Sequence, residues 1–255
     1  MTDLCYVFAV AASGIRVPAA PGIDDAPLFA IPVKDVEAIV CSVTQESFPA
    51  SPEAVLRHEA VVEAVRDQGP AIPVRFGTVL PGVEAVSRLL DERNKVLAAD
   101  VGRLGDKGEF GLTALWRDPI GGDQGSAEGP DEERISPGDY LRTWFATYRR
   151  EDAARERARA LAHELGQQLA VYALDSRVRI LAGDRLALRA AYLVALSGSE
   201  AFRQAFDESR RAHPECRFLL SGPWPPYSFV ASSAAGGHTG RDLASTLLRG
   251  TGVAQ

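Results

Sequence analysis

One stretch of the sequence determines how the fold ends. It is Gly222-Pro223-Trp224-Pro225-Pro226-Tyr227-Ser228-Phe229-Val230. Its three prolines each hold their own φ close to about −65° and push the preceding residue toward an extended conformation. An ordinary helix or a central strand is therefore excluded here. The sequence predicts a stiff, extended segment from which the rings of Trp224, Tyr227 and Phe229 project.

Two interpretations of this segment stay open from the sequence alone. In the first, it is a strap that follows a strand at residues 219–220 and lays its three aromatic rings over the core of its own domain. In the second, it is a preformed surface for a partner protein. We expect Trp224 to be buried. Under the second interpretation, Trp224, Tyr227 and Phe229 are the candidate partner-binding residues.

This proline-rich segment resembles the GvpL/GvpF family of gas vesicle proteins, and the resemblance extends over nearly the whole chain. The proline-rich segment carries most of this resemblance, and other pieces agree with the family in order between Cys5 and Val230. These pieces are Cys5-Tyr6-Val7-Phe8-Ala9, Leu56-Arg57-His58-Glu59-Ala60-Val61-Val62, Pro73-Val74-Arg75-Phe76-Gly77-Thr78, Glu109-Phe110-Gly111 and Ala190-Ala191-Tyr192-Leu193-Val194.

Composition narrows the class of protein independently of this resemblance. The chain has 255 residues, 46% hydrophobic and 24% charged residues, and a net charge of −6. These values are typical of a globular protein and argue against a nucleic-acid partner. No apolar stretch has the length of a membrane span, so no membrane partner is expected. Cys5, Cys41 and Cys216 are too far apart for a disulfide framework or zinc site, which favours a cytoplasmic location.

The chain is predicted to form two α+β domains. The predicted divisions are an N-terminal domain at 1–117, a flexible acidic, glycine-rich linker at 118–134, a C-terminal domain at 135–230 and a tail at 231–255. The linker has almost no apolar residues. Its glycine pattern is not followed by the Gly-Lys-Ser/Thr of a phosphate loop.

The first domain is predicted to contain strands at 4–11, 28–33, 38–43, 71–76 and 110–116. Ser51 and Pro52 predict the start of a helix that runs to Gly69, and a second helix is predicted at 83–103. This order favours a sheet with helices on one face. The resemblance implies a ferredoxin-like arrangement.

The second domain is predicted to open with a long helix after Ser136. Strands are then expected at 171–174, 177–181, 186–196 and 216–220, and a helix at 200–212. The domain is again a layered α+β unit. We expect a variant of the ferredoxin-like arrangement, closed by the strap of prolines and aromatics.

Residues that could perform catalysis are scarce. His58 lies on the apolar side of its helix, so the sequence favours a hydrogen-bonded core histidine over a metal ligand. No second histidine follows at metal-binding spacing, and no Rossmann or nucleophile-elbow glycine pattern is present. The sequence therefore predicts no catalytic residues, no metal site, no cofactor and no enzymatic activity.

Arg75 and Glu109 are a further pair of candidate partner-binding residues. Arg75 is expected to face away from Ile72 and Val74 in its strand, and Glu109 begins a strand that could lie in the same sheet. A cross-strand salt bridge is one interpretation. A sheet face that contacts a partner is the other.

The resemblance implies an accessory or minor structural role in gas vesicles. Such a protein would contact the small, hydrophobic shell protein GvpA, and other accessory proteins, in a chaperone-like or nucleating role. An exposed sheet edge or apolar groove suits this role, because it can accept a strand or an amphipathic helix. The alternative from a different class is a ferredoxin-like enzyme or small-molecule sensor with an interdomain pocket.

Overall fold

The computed structural model describes residues 4–118, 137–181 and 185–231. The chain groups into two compact units, one made of Met1–Gly108 with Trp224–Gln255 and one made of Glu109–Pro223. Helices and antiparallel sheets occur in both, so the predicted α+β class is confirmed. Within the described residues, no helix is both long and apolar enough to cross a membrane.

The first unit is built on a sheet with the strand order β2-β3-β1-β4, and β5 also pairs with β1. The strands are β1 (Leu4–Ala12), β2 (Leu28–Val33), β3 (Val36–Val43), β4 (Ala71–Pro73) and β5 (Val79–Leu80). The helices are α1 (Pro52–Gln68), α2 (Gly82–Glu92) and α3 (Asn94–Leu104). The start predicted for α1 is confirmed, because the Ser51 hydroxyl accepts from the Ala54 N–H at 3.2 Å and Pro52 follows.

Helices pack on both faces of this first sheet. Tyr6 and Phe8 of β1 belong to the same buried cluster as Val61 and Val65 of α1. On the other face, a small apolar cavity is lined by strand residues together with α2 and α3 residues, among them Val7, Val10, Ala38, Val86 and Leu90. The prediction that helices lie on one face is therefore wrong. A strand buried on both sides carries a continuous apolar run, as β1 does.

Two predicted elements of the first unit are interrupted. The strand predicted at 71–76 ends at Pro73, because a turn follows in which the Thr78 N–H and hydroxyl both donate to the Arg75 carbonyl. The helix predicted at 83–103 is broken at Arg93, whose backbone is not helical (φ −110°, ψ 10°). The break lies beside Asn94, whose buried amide donates to the Val33 carbonyl at 2.9 Å.

The second unit contains a sheet with the strand order β7-β8-β6-β9. Its elements are β6 (Lys107–Trp116), α4 (Pro137–Leu169), β7 (Asp175–Ile180), β8 (Leu186–Ala195), α5 (Ser199–Ala212) and β9 (Cys216–Trp224). In chain order they alternate as β-α-β-β-α-β, the order of ferredoxin-like folds. The ferredoxin-like description itself stays a prediction for both units.

The core of the second unit lies on one face of its sheet. Alternate residues of β6, from Phe110 to Trp116, are buried there against Leu161 and Leu165 of α4 and Phe202 of α5. The strand predicted at 171–174 is instead a turn, in which Tyr172 and Ala173 donate to the Leu169 carbonyl. At the other end of α4, Trp144, Phe145 and Tyr148 are exposed.

The contact grouping differs from the predicted domain boundaries in two places. β6 lies in the second sheet, although its residues are assigned to the first domain by the sequence. The segment from Trp224 onward groups with the first unit and not with the second. Apart from Asp118, the predicted linker lies outside the described residues, and so does the predicted tail apart from Ala231. The domain boundaries stay a prediction.

Candidate functional site

The proline-rich segment ends β9 and then packs into the first unit. β9 reaches Trp224, the next two prolines are buried, and a single 3-10 turn spans Tyr227–Phe229. The extended conformation expected from the prolines therefore holds only as far as this turn. We use the name strap for residues 224–231.

The strap is attached to α1 through the hydroxyl of Tyr227. This hydroxyl donates to Glu59 Oε1 at 2.8 Å and lies 3.2 Å from His58 Nε2. His58 is fully buried, and its Nε2 is also 3.0 Å from the Val74 carbonyl. The sequence-based prediction of a hydrogen-bonded core histidine is confirmed.

The partners of His58 determine its tautomer. A carbonyl oxygen can only accept, so Nε2 carries the proton and donates to Val74, and Tyr227 accepts from the same N–H. Nδ1 is then the acceptor, and the Tyr6 hydroxyl donates to it at 3.0 Å. The Gly77 N–H donates in turn to the Tyr6 oxygen at 2.9 Å. Each polar atom of this network therefore has a partner.

Burial sets the charge states in the network. Desolvation lowers the pKa of His58 to about 4, although the hydrogen bond to the Val74 carbonyl opposes this shift. Desolvation also raises the pKa of Glu59, against the hydrogen bond from Tyr227. The pKa of Tyr227 is raised, first by burial and then by the nearby Glu59 carboxylate. At neutral pH the imidazole and the phenol are both uncharged, as this dry environment requires.

Aromatic rings surround the imidazole of His58. Phe8 stacks on it with ring centroids 5.5 Å apart, and Phe76 meets it edge-on at 5.7 Å. Tyr6 contacts it through both its ring and its hydroxyl. This packing excludes water and holds the imidazole as a structural element. Within the described residues, no group of three or more potential metal ligands is found.

The end of the strap is fixed by a second polar contact. Asp100, which is almost fully buried, accepts from the Ala231 N–H at 2.6 Å and from Arg103 Nη2 at 2.7 Å. Arg103 Nη2 also donates to the Phe229 carbonyl at 2.7 Å. The ring of Phe229 is only 1% exposed. Phe229 therefore acts as a core residue of this unit, and a partner can reach it only if the strap opens.

Trp224 is exposed, whereas the sequence predicted that it would be buried. Its side chain is 48% exposed, so the prediction that this ring covers the core is wrong. The sequence reasoning fails because proline spacing restricts the backbone but does not decide which ring faces solvent. Of the three strap aromatics, Trp224 presents the largest free surface, whereas Tyr227 is held by its hydroxyl and Phe229 is buried.

Arg75 and Glu109 do not lie in the same sheet. Arg75 is exposed in the turn after β4, and Glu109 lies near the start of β6 in the second sheet. The expectation of one shared sheet is therefore wrong, because β6 pairs with β8 and β9. A partner-binding role for either residue stays a prediction.

A groove at the edge of the second sheet was not predicted from the sequence. β9 ends the strand order of its sheet, and α5 runs beside it. Apolar residues of both elements and charged residues of α5 line the groove. The lining residues are Arg203, Phe206, Asp207, Arg210, Phe218, Leu219 and Leu220. Leu219 is 64% exposed, so an apolar side chain faces solvent on an edge strand.

Comparison with known proteins identifies the family to which this chain is similar. The model of the gas vesicle synthesis protein GvpL/GvpF family matches residues 4–231. The chain is 29% identical to gas vesicle protein L of Streptomyces sp. (strain CB03234), covering 89% of this chain and 92% of that protein. It is 22% identical to gas vesicle protein F2 of Halobacterium salinarum, covering 79% of each chain.

Two solved structures of GvpF proteins have the same fold as this chain. The crystal structure of the gas vesicle protein GvpF from Anabaena sp. PCC7120 matches with a TM-score of 0.72 at 17% identity, over 93% of this chain and 100% of that one. GvpF from Microcystis aeruginosa matches with a TM-score of 0.71 at 18% identity, over 91% of this chain and all of that one. The chain belongs to the GvpL/GvpF family of gas vesicle synthesis proteins.

Proposed function

We propose that this protein is a non-enzymatic accessory factor of gas vesicle assembly that binds the shell protein GvpA before the shell polymerises. Family membership supports the gas vesicle role. A hydrophobic shell subunit needs a partner that covers its apolar surface, since exposed apolar patches and open strand edges promote aggregation. We further propose that the complex forms in the cytoplasm and at the growing vesicle.

The observation that carries this proposal is the groove between the β9 edge and α5. An edge strand has backbone N–H and C=O groups that a further strand can pair with, and the exposed Leu219 supplies apolar contact beside them. Arg203, Asp207 and Arg210 also line the groove and add charged groups beside its apolar ones. GvpA would be held there by strand addition or by an amphipathic helix packed in the groove.

Co-purification of GvpA with tagged protein tests this proposal. Leu219→Asp places a charge on the edge strand that lines the groove, and we expect it to reduce the recovery of GvpA strongly. Leu56→Asp is the matched control, because Leu56 is 70% exposed on α1 in the other unit. Recovery that is equal for wild type and Leu219→Asp, or lost equally in both variants, would contradict the groove as the binding site.

A further inference from the structure

The second sheet has one face that the helices of its unit leave uncovered. Leu161 of α4 and Phe202 of α5 pack against the same buried residues of β6 and β8, so both helices lie on one face. In a strand, successive side chains point to opposite faces. Alternate residues of β6, β7, β8 and β9 therefore form the opposite face, which we call the outer face. It is exposed at its arginines, whereas Leu193 of β8, at the end where β7 begins, is buried.

Arginines are concentrated on this outer face. Val178 of β7 pairs with Ala190 of β8, a core residue, so Arg177 and Arg179 on either side of it point outward. Arg189 points outward because Arg179 pairs directly with it. On β9, the buried Cys216 and the inward-packed Phe218 flank Arg217, which therefore also points outward. All these arginines are exposed.

Charge repulsion between Arg179 and Arg189 destabilises the folded state. Like charges directly opposite each other on neighbouring antiparallel strands are destabilising. Among the described residues, neither has a carboxylate within ion-pair distance. Folding does not require this arrangement, and an anionic partner would relieve it.

The arginines also lie toward one end of the sheet. Trp116 at the end of β6 donates to the Arg185 carbonyl just before β8, and Arg117 donates to the Glu215 carbonyl just before β9. The end of β6 is therefore next to the starts of β8 and β9, where Arg189 and Arg217 lie. The acidic residues on the outer face, Asp175 and Glu109, are at the starts of β7 and β6, toward the opposite end.

We propose that the outer face binds an acidic polypeptide segment. Arginine guanidinium groups match carboxylates in geometry and charge. Between the arginine-bearing strands, the outer positions of β6 carry Gly111, Thr113 and Leu115. Gly111 has no side chain, although the Ser221 hydroxyl lies beside it, and the side chain of Thr113 is small, so a polypeptide backbone can lie close to this part of the sheet. Leu115, which is partly exposed near the arginine-rich end, adds apolar contact for such a segment.

A polypeptide suits this face better than a nucleic acid. On the described strands, no outer position carries an aromatic ring on which a base could stack. The same alternation points Leu219 to this face, so the outer face meets the proposed GvpA groove at β9. The arginines that carry the present proposal do not line that groove, so the two proposals can be tested separately.

Binding of a labelled poly-glutamate peptide, measured by fluorescence anisotropy at low salt, tests this proposal. We expect wild type to bind and added salt to weaken the complex. Arg179→Gln/Arg189→Gln should weaken binding roughly tenfold through two lost charge pairs. The matched control is Arg149→Gln/Arg155→Gln, which changes the net charge equally on the exposed side of α4 and should bind like wild type.

The same variants are also tested for correct folding, for binding of an oligonucleotide and for self-association. Because Arg179→Gln/Arg189→Gln removes a like-charge pair, we expect its urea unfolding midpoint to equal or exceed that of wild type. Three results would overturn the proposal: no binding of poly-glutamate by wild type, equal weakening in both double variants, or tighter binding of a single-stranded oligonucleotide of the same charge. Self-association of wild type that the Arg179/Arg189 variant abolishes would instead assign this face to a second copy of the chain.

Discussion

The hydroxyl of Tyr227 donates a hydrogen bond to Glu59 at 2.8 Å, which joins the strap to α1 across a sequence separation of 168 residues. The same hydroxyl accepts from the buried His58. One phenol therefore connects the end of the described chain to the most enclosed polar group of the first unit. Together with the contacts that Asp100 and Arg103 make to Ala231 and Phe229, this contact holds the strap in place.

Removing this hydroxyl should lower the stability of the protein. Tyr227→Phe keeps the ring but leaves Glu59 without its donor, and we expect a loss of about 1–3 kcal/mol in the free energy of unfolding. Urea unfolding followed by circular dichroism measures the change. Tyr172→Phe is the control, since that tyrosine is exposed in the turn after α4, and its effect should stay within about 0.5 kcal/mol. Equal effects of the two substitutions would show that the Tyr227 hydroxyl does not hold the strap.

His58 should stay neutral across the physiological pH range. With a pKa lowered from 6.5 to about 4, it takes up a proton in the unfolded state before it does so in the folded state. The unfolded state therefore binds more protons between these pH values, and the contribution of His58 to stability falls as the pH drops through this window, by about 3 kcal/mol in all. Glu59 acts in the opposite direction, because its raised pKa lets the folded state hold a proton longer.

NMR titration of the histidine ring signals measures the protonation of His58 separately from that of Glu59. We expect the His58 signal to show no protonation until the pH approaches about 4, and its ¹⁵N shifts to indicate a proton on Nε2. The exposed His163 provides an internal comparison in the same spectra. A His58 signal that titrates near 6.5 would contradict the buried network.

Substitutions along the strap should have unequal effects. Phe229→Ala removes a buried ring and should cost about 3–5 kcal/mol of unfolding free energy. Trp224→Ala removes a ring that is half exposed and should cost about 1 kcal/mol. Thermal melts and urea unfolding of the two variants measure the difference. A larger loss for Trp224→Ala than for Phe229→Ala would contradict the described packing of the strap.

Local signals in the sequence predicted local structure well. Ser51 followed by Pro52 predicts a helix start, because the cap depends only on residues within one turn. The assignment of His58 to the core also came from helical spacing alone. In contrast, the helix breaks at Arg93 although no proline or glycine is present there. The break lies beside Asn94, whose side-chain amide donates a hydrogen bond to the carbonyl of the distant Val33. Such contacts between distant residues are not visible in a local pattern.

The site itself was predictable only in part. The strap was recognised from its prolines, but the exposure of Trp224 and the burial of Phe229 depend on how the chain continues beyond β9. Glu59 and Tyr6 were missed, since neither forms a motif with Tyr227 in sequence. The arginines of the outer face were missed for a similar reason. They are spread over separate strands, and only the sheet order brings Arg179, Arg189 and Arg217 onto one face.

Flotation of vesicle-forming cells tests the central claim most directly. Cells that lack this gene are complemented with wild type, with Leu219→Asp or with the control Leu56→Asp, and buoyancy is measured together with the amount of GvpA in intact vesicles. We predict that deletion abolishes flotation, that wild type and Leu56→Asp restore it, and that Leu219→Asp does not restore it although the variant accumulates normally. Flotation that is unchanged by the deletion would contradict an assembly role, and full rescue by Leu219→Asp would contradict the β9 groove as the surface that performs it.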